Sequence, residues 1–300
     1  MTRTVRLLAP AKINLSLEVL RIRPDGYHEL RSVLQTVDLH DIVTIAEADE
    51  ITLEITGDTR TLAGTPIEEN LAHRAAVALR DRAGARAGAR IVLEKRIPVA
   101  AGLGGGSSDA AAVLRGLNEL WGAHQSALNL TEIAGEVGSD PPFFVTAGTS
   151  VVWGRGDQVE PLPDALVPSL LLATPREDAR GEKTASMFAA LTPAHFSDGD
   201  VTIGVREVVV SGRMIADENL NNVFDRVVGT MQPATELAMD ALRAQGYVPH
   251  LAGAGPSFFL LYPGGADVER ELAERVDRAG FEARPVRALS RAEALRIEGA

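Results

Sequence analysis

The 300-residue chain contains no cysteine, and it is poor in lysine and aromatic residues. The absence of cysteine excludes disulfides, thiol catalysis and thiolate metal sites. No apolar run approaches the roughly 18 residues of a transmembrane helix, and none resembles a signal peptide, which predicts a soluble, cytoplasmic protein without a membrane partner. The net charge of −11 predicts no nucleic-acid partner, because nucleic acids are held mainly by neutralising their phosphates. A local basic site for a small phosphate stays compatible with this charge.

Lysine occurs at three positions, Lys12, Lys95 and Lys183, so 27 of the 30 basic residues are arginine. Genome composition explains such a bias, but a position that keeps lysine favours a compact ammonium group over a planar guanidinium. Lys12 lies in the first predicted strand, Lys95 directly precedes a glycine-rich run, and Lys183 lies in a polar stretch ahead of Phe188. These positions are candidates for function, with chance as the alternative.

Aromatic side chains are limited to eight phenylalanines, three tyrosines and two tryptophans. With 45% hydrophobic residues the chain can still build a sizeable core, and its length suits one large domain or two medium ones. Each aromatic residue is therefore first expected in that core. Tyr27 follows a polar turn and is better placed for a ligand.

The most informative segment is the run from Pro98 to Ser108, PVAAGLGGGSS, in which four of the eleven residues are glycine. Glycine has no Cβ, so its backbone N–H groups can approach a ligand closely and adopt φ angles that other residues avoid. Strand-like alternation of Ile91, Leu93 and Lys95 precedes the run, and apolar residues at helical spacing follow it. The run therefore predicts a phosphate site at a helix N-terminus, with a flexible surface turn as the alternative.

Two common phosphate motifs do not fit this run. A Walker loop needs Lys and then Ser or Thr after its last glycine, whereas Gly106 is followed by Ser107 and Ser108. The dinucleotide motif needs a glycine at position 107 and an acidic residue about 20 residues further on, at the end of a second strand. Asn118 and Glu119 lie instead within the predicted helix. The segment is therefore neither a Walker loop nor a dinucleotide loop.

Strands and helices are predicted in both halves of the chain. In the first half the patterns predict a turn at residues 23–26, strands over 5–19 with a break at Pro10, over 33–45 and over 51–55, and helices over 70–83 and, capped by Thr131, over 131–137. Residues 159–166 are the candidate crossing between domains. Beyond them the patterns predict strands at 170–173, 258–262 and 283–286 and helices at 187–191, 223–231, 237–244 and 267–279. This mixture predicts α+β or α/β layering.

Three segments in the correct order resemble the three motifs of the GHMP kinases. They are residues 9–15 (APAKINL), the glycine run with the following DAA, and residues 253–257 (GAGPS). Within this superfamily, residues 23–30 (RPDGYHEL) and 138–144 (GSDPPFF) resemble the substrate and catalytic segments of the branch that acts on 4-diphosphocytidyl-2-C-methyl-D-erythritol. The resemblance extends over nearly the whole chain.

The resemblance implies the two-domain α+β fold of GHMP kinases, with a ribosomal-protein-S5-like domain over residues 1–160 and a ferredoxin-like domain over 161–300. It also implies an ATP-dependent, Mg²⁺-requiring kinase of non-mevalonate isoprenoid precursor biosynthesis. The expected reaction phosphorylates the 2-hydroxyl of 4-diphosphocytidyl-2-C-methyl-D-erythritol. A monomer or weak homodimer is expected, and the direct metal ligands are left unassigned.

The resemblance to GHMP kinases implies that Asp140 and Lys12 are the catalytic residues. Asp140 is implied as the base that takes the hydroxyl proton, and Lys12 as the ammonium group that keeps Asp140 ionised. Pro141 is expected to hold Asp140 in an extended backbone. Asn14 is implied to bind the substrate or to orient Lys12. From the residues alone, a turn aspartate and an exposed strand lysine are the alternatives.

The other implied site residues bind the two ligands. Tyr27 and Phe188 would stack on the cytosine base, His28 would contact its edge and Thr184 would lie nearby, with a core position as the alternative for Phe188. The implied ATP site comprises Asn70 and Lys95 near the adenosine and the loop residues Pro98, Val99, Ala100, Ala101, Gly102, Leu103, Gly104, Gly105, Gly106, Ser107 and Ser108. Ser108 is alternatively, or additionally, the N-cap of the following helix.

The sequence departs from the family pattern at Pro141, where relatives often carry valine, and at Ala252 and Ala254, where relatives often carry serine or threonine. These departures predict altered affinity with retained activity. Two other functions stay open, namely another GHMP small-molecule kinase, such as homoserine or mevalonate kinase, and a non-catalytic nucleotide-binding sensor of the same fold. The pair of Lys12 and Asp140 argues against the sensor, and Tyr27 with His28 argues against the other kinases.

Overall fold

The computed structural model describes residues 3–57, 66–176 and 183–299 and contains two β-sheets with helices packed against them. Residues 177–182 and the side chain of the third lysine, Lys183, lie outside the described residues. Within the described ranges, we find no helix with the length and apolar character needed to cross a membrane. Sheets and helices occur in both halves of the chain, as the sequence patterns predict.

The elements follow one another along the chain without a repeat. The strands are β1 (Thr4–Ile22), β2 (His28–Ala48), β3 (Ile51–Gly57), β4 (Gly88–Lys95), β5 (Thr149–Gly154), β6 (Gln158–Pro161), β7 (Ser169–Pro175), β8 (Asn221–Asn222), β9 (His250–Leu251), β10 (Phe258–Tyr262), β11 (Phe281–Val286) and β12 (Ile297–Glu298). The helices are α1 (Leu71–Ala83), α2 (Gly105–Leu120), α3 (Ala127–Val137), α4 (Pro141–Thr146), α5 (Lys183–Ala189), α6 (Asp200–Val210), α7 (Val228–Met231), α8 (Pro233–Arg243), α9 (Ala266–Arg278) and α10 (Arg291–Ala294).

The first sheet is built on the long antiparallel pair β1 and β2. Its main strand order is β12-β1-β2-β4-β3, and β5, β6 and β8 pair at its sides. The turn between β1 and β2 is closed by a hydrogen bond from the Gly26 N–H to the Arg23 carbonyl, at 3.0 Å. Pro10 lies within the continuous strand β1 and marks a register shift between Pro10 and Ala11. The predicted break at Pro10 is therefore a bulge in the pairing, and the strand continues past it.

Helices α1 to α4 cover one face of the first sheet and enclose its core. Helix α2 lies especially close to the sheet at Gly116, where a Cβ would stand 2.6 Å from Ile45 Cδ1 and 2.8 Å from Leu7 Cδ1. Only glycine fits at this position, since real side chains do not approach so closely. The helix that follows the glycine run is thus held tightly against β1 and β2.

The second sheet has four antiparallel strands in the order β11-β7-β10-β9. Along the chain, β7 is followed by helices, then by β9 and β10, then by α9 and β11. This β-α-β-β-α-β succession is the ferredoxin-like arrangement that the sequence resemblance implies.

A shared core joins the two sheets. Ile13 and Leu15 of β1 pack in one buried cluster with Leu170 and Leu172 of β7 and Phe259 of β10. The glycine loop contributes Ala101 and Leu103 to the same cluster, so the loop lies where the two halves meet. The domain boundary between residues 160 and 161 stays a prediction.

Three helix predictions need correction. Helix α3 begins at Ala127 with Ser126 as its N-cap, and the Thr131 hydroxyl donates to the Ala127 carbonyl at 2.8 Å, so Thr131 is not the N-cap. The predicted helix over 223–231 is divided into a 3₁₀ turn, Val223–Arg226, and α7. The sequence predicts no helix at α6, which is rich in β-branched residues that favour strands. Glu18 of β1 caps α6 by accepting the Thr202 N–H at 2.7 Å, a tertiary contact that local patterns do not contain.

Candidate active site

The glycine run forms a tight loop between β4 and α2, as the sequence predicts. Gly104 is the N-cap of α2 with a left-handed backbone (φ 74°). At Gly102 a Cβ would lie 2.1 Å from the Ala252 carbonyl oxygen, so the loop touches the third motif through bare backbone. Such contacts are open only to glycine. Residues 104–107 at the start of α2 line the adjoining cavity, and the first N–H groups of a helix have no partner within the helix, as a phosphate site requires.

Lys12 is held between the glycine loop and the third motif. Its backbone N–H donates to the Leu103 carbonyl at 3.0 Å, and its Nζ donates to Asn14 Oδ1 at 2.8 Å. Asn14 Oδ1 also accepts the Gly253 N–H at 3.0 Å, and Asn14 Nδ2 donates to Ser32 Oγ at 2.9 Å. The amide of Asn14 therefore fixes the position of the ammonium group.

The ammonium group of Lys12 is buried without a carboxylate in contact. Within the described ranges, no acidic oxygen lies within 4.0 Å of Lys12 Nζ. Burial lowers the pKa of Lys12, and the more distant negative charge of Asp140 partly opposes this effect. Lys12 therefore forms no ion pair with any described residue, and its ammonium group can interact with a ligand.

Asp140 lines the same cavity as Lys12 and is the N-cap of the short helix α4. The backbone conformation of Asp140 differs from the one predicted from the sequence. Its dihedral angles are φ −83° and ψ −28°, which is a helical conformation. The expected extended backbone is wrong because Pro141 begins α4 and Asp140 adopts the helical turn that leads into it. In the described part of the chain the Asp140 carboxylate has no hydrogen-bond or ion-pair partner, so it can accept a substrate proton.

Lys95 lies in a different environment, at the end of β4. Its Nζ donates to Asp109 Oδ2 at 2.5 Å and also to Asp41 Oδ2, and all three side chains are nearly fully buried. Burial lowers the pKa of Lys95, but the two carboxylates outweigh it and the pKa is raised overall. Burial raises the pKa of Asp109 to about 7 despite the attraction of Lys95.

An aromatic group forms the far end of the site. The rings of His28 and Phe188 are stacked with centroids 5.1 Å apart, and Phe188 also contacts Phe224 edge-on at 4.9 Å. Tyr27 is half exposed and carries the guanidinium of Arg155 over its ring, 5.4 Å from the centroid. Burial lowers the pKa of His28, so its ring is neutral near pH 7.

These groups line one cavity of about 910 Å³. Of the predicted site residues, those in its lining are Lys12, Asn14, Tyr27, His28, Asn70, Lys95, residues 98–102, residues 104–107, Asp140, Thr184 and Phe188. Leu103 and Ser108 are buried outside the lining. Ser108 is not the N-cap either, because α2 begins at Gly105 and the cap is Gly104.

Among the polar residues that line the cavity, sequence reasoning missed Ser32, Asp109, Ser139 and Arg155. Arg155 lines the cavity, and its Nε donates to Asp157 Oδ2 at 3.0 Å. An arginine between two glycines directly after the apolar residues 151–153 (VVW), as in residues 154–156, is the signal that could have drawn attention to it. Ser32 meets Asn14 only through the pairing of β1 with β2, for which the sequence carries no local signal.

Comparisons with known proteins show which family the chain resembles over its length. The profile of the GHMP kinases N terminal domain matches residues 70–148. The 4-diphosphocytidyl-2-C-methyl-D-erythritol kinase of Dehalococcoides mccartyi is 38% identical over 271 residues, which are 90% of this chain and 92% of that protein. A crystal structure of 4-(cytidine 5'-diphospho)-2C-methyl-D-erythritol kinase matches with a TM-score of 0.73 and 32% identity, over 94% of this chain and 98% of that chain.

A homoserine kinase from Cytophaga hutchinsonii matches with a TM-score of 0.73 over 96% of both chains, at 16% identity, and so shares the fold. The α+β fold of GHMP kinases and the resemblance drawn from the three motifs are thereby confirmed. By identity over most of its length, the chain belongs to the 4-diphosphocytidyl-2-C-methyl-D-erythritol kinase family of GHMP kinases.

Proposed function

We propose that the chain transfers the γ-phosphoryl group of ATP to the 2-hydroxyl of 4-diphosphocytidyl-2-C-methyl-D-erythritol, with Asp140 as general base and Lys12 beside it. The observation that carries this proposal is one cavity lined by the glycine loop, by Lys12 and Asp140, and by the aromatic group of Tyr27, His28 and Phe188. A phosphate donor, a reacting alcohol and a base can meet there in one continuous space.

The reaction centre would work through proton removal and charge neutralisation. The oxygen of the 2-hydroxyl forms a bond to the γ-phosphorus, the bond from that phosphorus to the β–γ bridging oxygen breaks, and ADP leaves. The hydroxyl proton passes to the carboxylate of Asp140, which has no competing partner in the described structure. Lys12, held by Asn14, faces the negative charge that spreads over the transferred phosphoryl oxygens.

The nucleotide phosphates would lie on the N–H groups of the glycine loop and the start of α2. The donor set suits Mg²⁺ bound chiefly through these phosphates, because Mg²⁺ commonly takes one or two protein oxygens and completes its shell with phosphates and water. The described residues contain no group of three or more His, Cys, Asp or Glu side chains that could hold a metal alone, whereas Ser107 and Asp140 bring oxygen atoms to the cavity. When bound, Mg²⁺ neutralises charge on the β- and γ-phosphates.

The cytidine diphosphate end would use the aromatic group and Arg155. Tyr27 and Phe188 offer faces for the base, and neutral His28 and Thr184 offer hydrogen-bonding groups beside them. Three lysine or arginine residues line the cavity, within the described residues: Lys12, Lys95 and Arg155. Lys95 is occupied by two carboxylates, and Lys12 faces the reaction centre. Arg155 pairs with the single carboxylate of Asp157 through Nε, and its Nη1 would donate to the diphosphate of the substrate.

A coupled ADP-release assay tests the proposal. Wild-type protein is given Mg·ATP with 4-diphosphocytidyl-2-C-methyl-D-erythritol, with homoserine or with mevalonate, beside Asp140→Asn and the exposed control Asp267→Asn. We expect turnover with the cytidine substrate alone and a fall in kcat of at least about 100-fold in Asp140→Asn. No turnover with that substrate would overturn the assignment, and an unchanged Asp140→Asn would remove Asp140 as the base.

Location and assembly stay proposals. We propose a cytoplasmic location, no nucleic-acid or membrane partner, and a monomer or weak homodimer, as predicted from the sequence. Size-exclusion chromatography with light scattering at several protein concentrations tests the oligomeric state.

A further inference from the structure

The buried cluster of Asp41, Lys95 and Asp109 occupies the base of the glycine loop, and Lys95 and Asp109 form part of the cavity wall there. Asp41 belongs to β2, Lys95 ends β4 and Asp109 lies near the start of α2, so three separate elements meet there. The exposed fractions of the three side chains are 0%, 4% and 4%, respectively. Such complete burial of three charges is unusual and requires close pairing.

The cluster joins the two ends of the loop. On the side where the loop begins, Asp41 Oδ1 accepts the backbone N–H groups of Arg96, at 2.5 Å, and Ile97, at 2.8 Å. On the side where the loop ends, Lys95 connects Asp41 to Asp109 of α2. The loop therefore starts and finishes on the same ionic cluster.

Helix α2 is also seated directly on this cluster. A Cβ on Gly105, the first residue of α2, would lie 3.4 Å from Asp41 Oδ2 and 3.1 Å from Ile97 Cγ2. The helix start thus has little room to shift relative to Asp41. A change in the length or charge of the cluster would move the N–H groups that face the phosphates.

In the cluster two carboxyl groups share one ammonium group. Asp109 Oδ1 is buried with no hydrogen-bond partner in the described part of the chain. Buried polar atoms without partners are costly, and a buried ion cluster is weak evidence for stability. Its geometry, in contrast, fixes distances between three elements, which an apolar core would leave less defined.

We propose that Asp41, Lys95 and Asp109 are positioning residues that set the spacing between the start of the glycine loop and the first turn of α2, and thereby the affinity for the nucleotide phosphates. This inference rests on the proposed function in that the loop binds ATP. In this arrangement Lys95 acts through the loop, and its ammonium group makes no direct contact with the nucleotide.

The test measures nucleotide binding without turnover. Calorimetric titration with Mg²⁺ and the non-hydrolysable analogue AMPPNP gives Kd for wild type, Asp109→Ala, Asp109→Asn and the exposed control Asp81→Ala. We expect Kd to rise at least about tenfold in Asp109→Ala, because α2 loses its bond to Lys95 and the loop is then less preorganised for the phosphates. Asp109→Asn keeps an oxygen that accepts from Lys95 and should recover most of the affinity, and Asp81→Ala should match wild type.

A second readout separates positioning from a general loss of structure. KM for ATP and KM for the alcohol are measured on the folded fraction of each variant, and positioning predicts that only KM for ATP rises. Equal rises in both constants, or a Kd for AMPPNP in Asp109→Ala within about twofold of wild type, would overturn the proposal. If wild type binds AMPPNP but does not phosphorylate the cytidine substrate, the proposed function fails and the binding comparison still decides this inference.

If Asp109→Ala does not fold, Asp41→Asn provides the same test. Amide hydrogen exchange at Arg96 and Ile97 should then quicken together with the rise in Kd, since the carboxylate that accepts both N–H groups is weakened. Faster exchange with an unchanged Kd would overturn the link between the cluster and the nucleotide.

Discussion

Two buried lysines line the same cavity but lie in opposite electrostatic environments. Lys95 contacts two carboxylates, and its pKa is raised overall by them. Lys12 contacts the neutral amide of Asn14, and burial lowers its pKa. The fold uses the charge of Lys95 internally and leaves the charge of Lys12 for a ligand.

Burial in a cavity wall does not by itself make a lysine a catalytic residue. What decides is the partner: a carboxylate neutralises the ammonium group before any substrate arrives, whereas an amide orients it without removing its charge. The same reasoning separates the carboxylates, because Asp140 has no partner in the described structure and Asp109 is tied to Lys95.

Replacing each lysine with methionine should produce the largest difference between the two positions, in kcat for Lys12 and in stability for Lys95. Lys12→Met should lower kcat by about 100- to 1,000-fold, the size expected for losing one charge-stabilising donor in an active site, with little change in stability. The assay is ADP release at saturating substrates, together with urea unfolding. A Lys12→Met variant with near-normal kcat would contradict the role given to Lys12.

Lys95→Met should instead act on the fold. Removing the shared ammonium group leaves two buried carboxylates uncompensated, which should cost about 3 to 5 kcal/mol of unfolding free energy. Urea unfolding measures the loss, and adding Asp109→Asn should restore about 1 kcal/mol or more, since it removes one of the stranded charges. If Lys95→Met were as stable as wild type, the ion cluster would not be part of the folded core.

Arg155 is the third basic residue that lines the cavity among the described residues, and it is proposed to bind the cytidine substrate. Arg155→Met should raise KM for the cytidine substrate about tenfold, the loss expected for one charge-assisted hydrogen bond, and should leave KM for ATP unchanged. The exposed Arg90→Met serves as the matched control. A rise of the same size in KM for ATP would contradict the proposal that Arg155 binds the cytidine substrate alone.

Asp225 is a buried carboxylate with no basic group within 4.0 Å among the described residues, and the more distant guanidinium of Arg243 attracts it only in part. Burial raises its pKa to about 6, so its charging opposes folding as pH rises from about 4 to 6. The unfolded state releases this proton at lower pH than the folded state, so stability is lost over that interval. Asp225→Asn removes the titration, and the variant should gain about 1 to 3 kcal/mol relative to wild type between pH 4 and 7. A stability difference that does not change with pH would contradict this expectation.

The sequence predicted the loop, the helix after it and most strands, because glycine content and apolar spacing are local signals. The environments of the two lysines could not be predicted, since Asp41 and Asp109 reach Lys95 from elements far apart in the chain. The resemblance implied a position of Lys95 near the adenosine, which stays a prediction, and it gave no sign that the ammonium group lies between two carboxylates. The helix at Asp200–Val210 escaped prediction for a related reason, because its cap, Glu18, belongs to β1.

The rarity of lysine makes the central claim directly measurable. Protein labelled with ¹³C at lysine Cε should give three side-chain signals, one for each lysine, and Lys183→Arg removes the third and leaves the pair to be assigned. Titration of these signals with pH should show Lys12 with a pKa below the ordinary value of 10.5 and Lys95 with a pKa above it. A pKa of Lys12 equal to or higher than that of Lys95 would contradict the account.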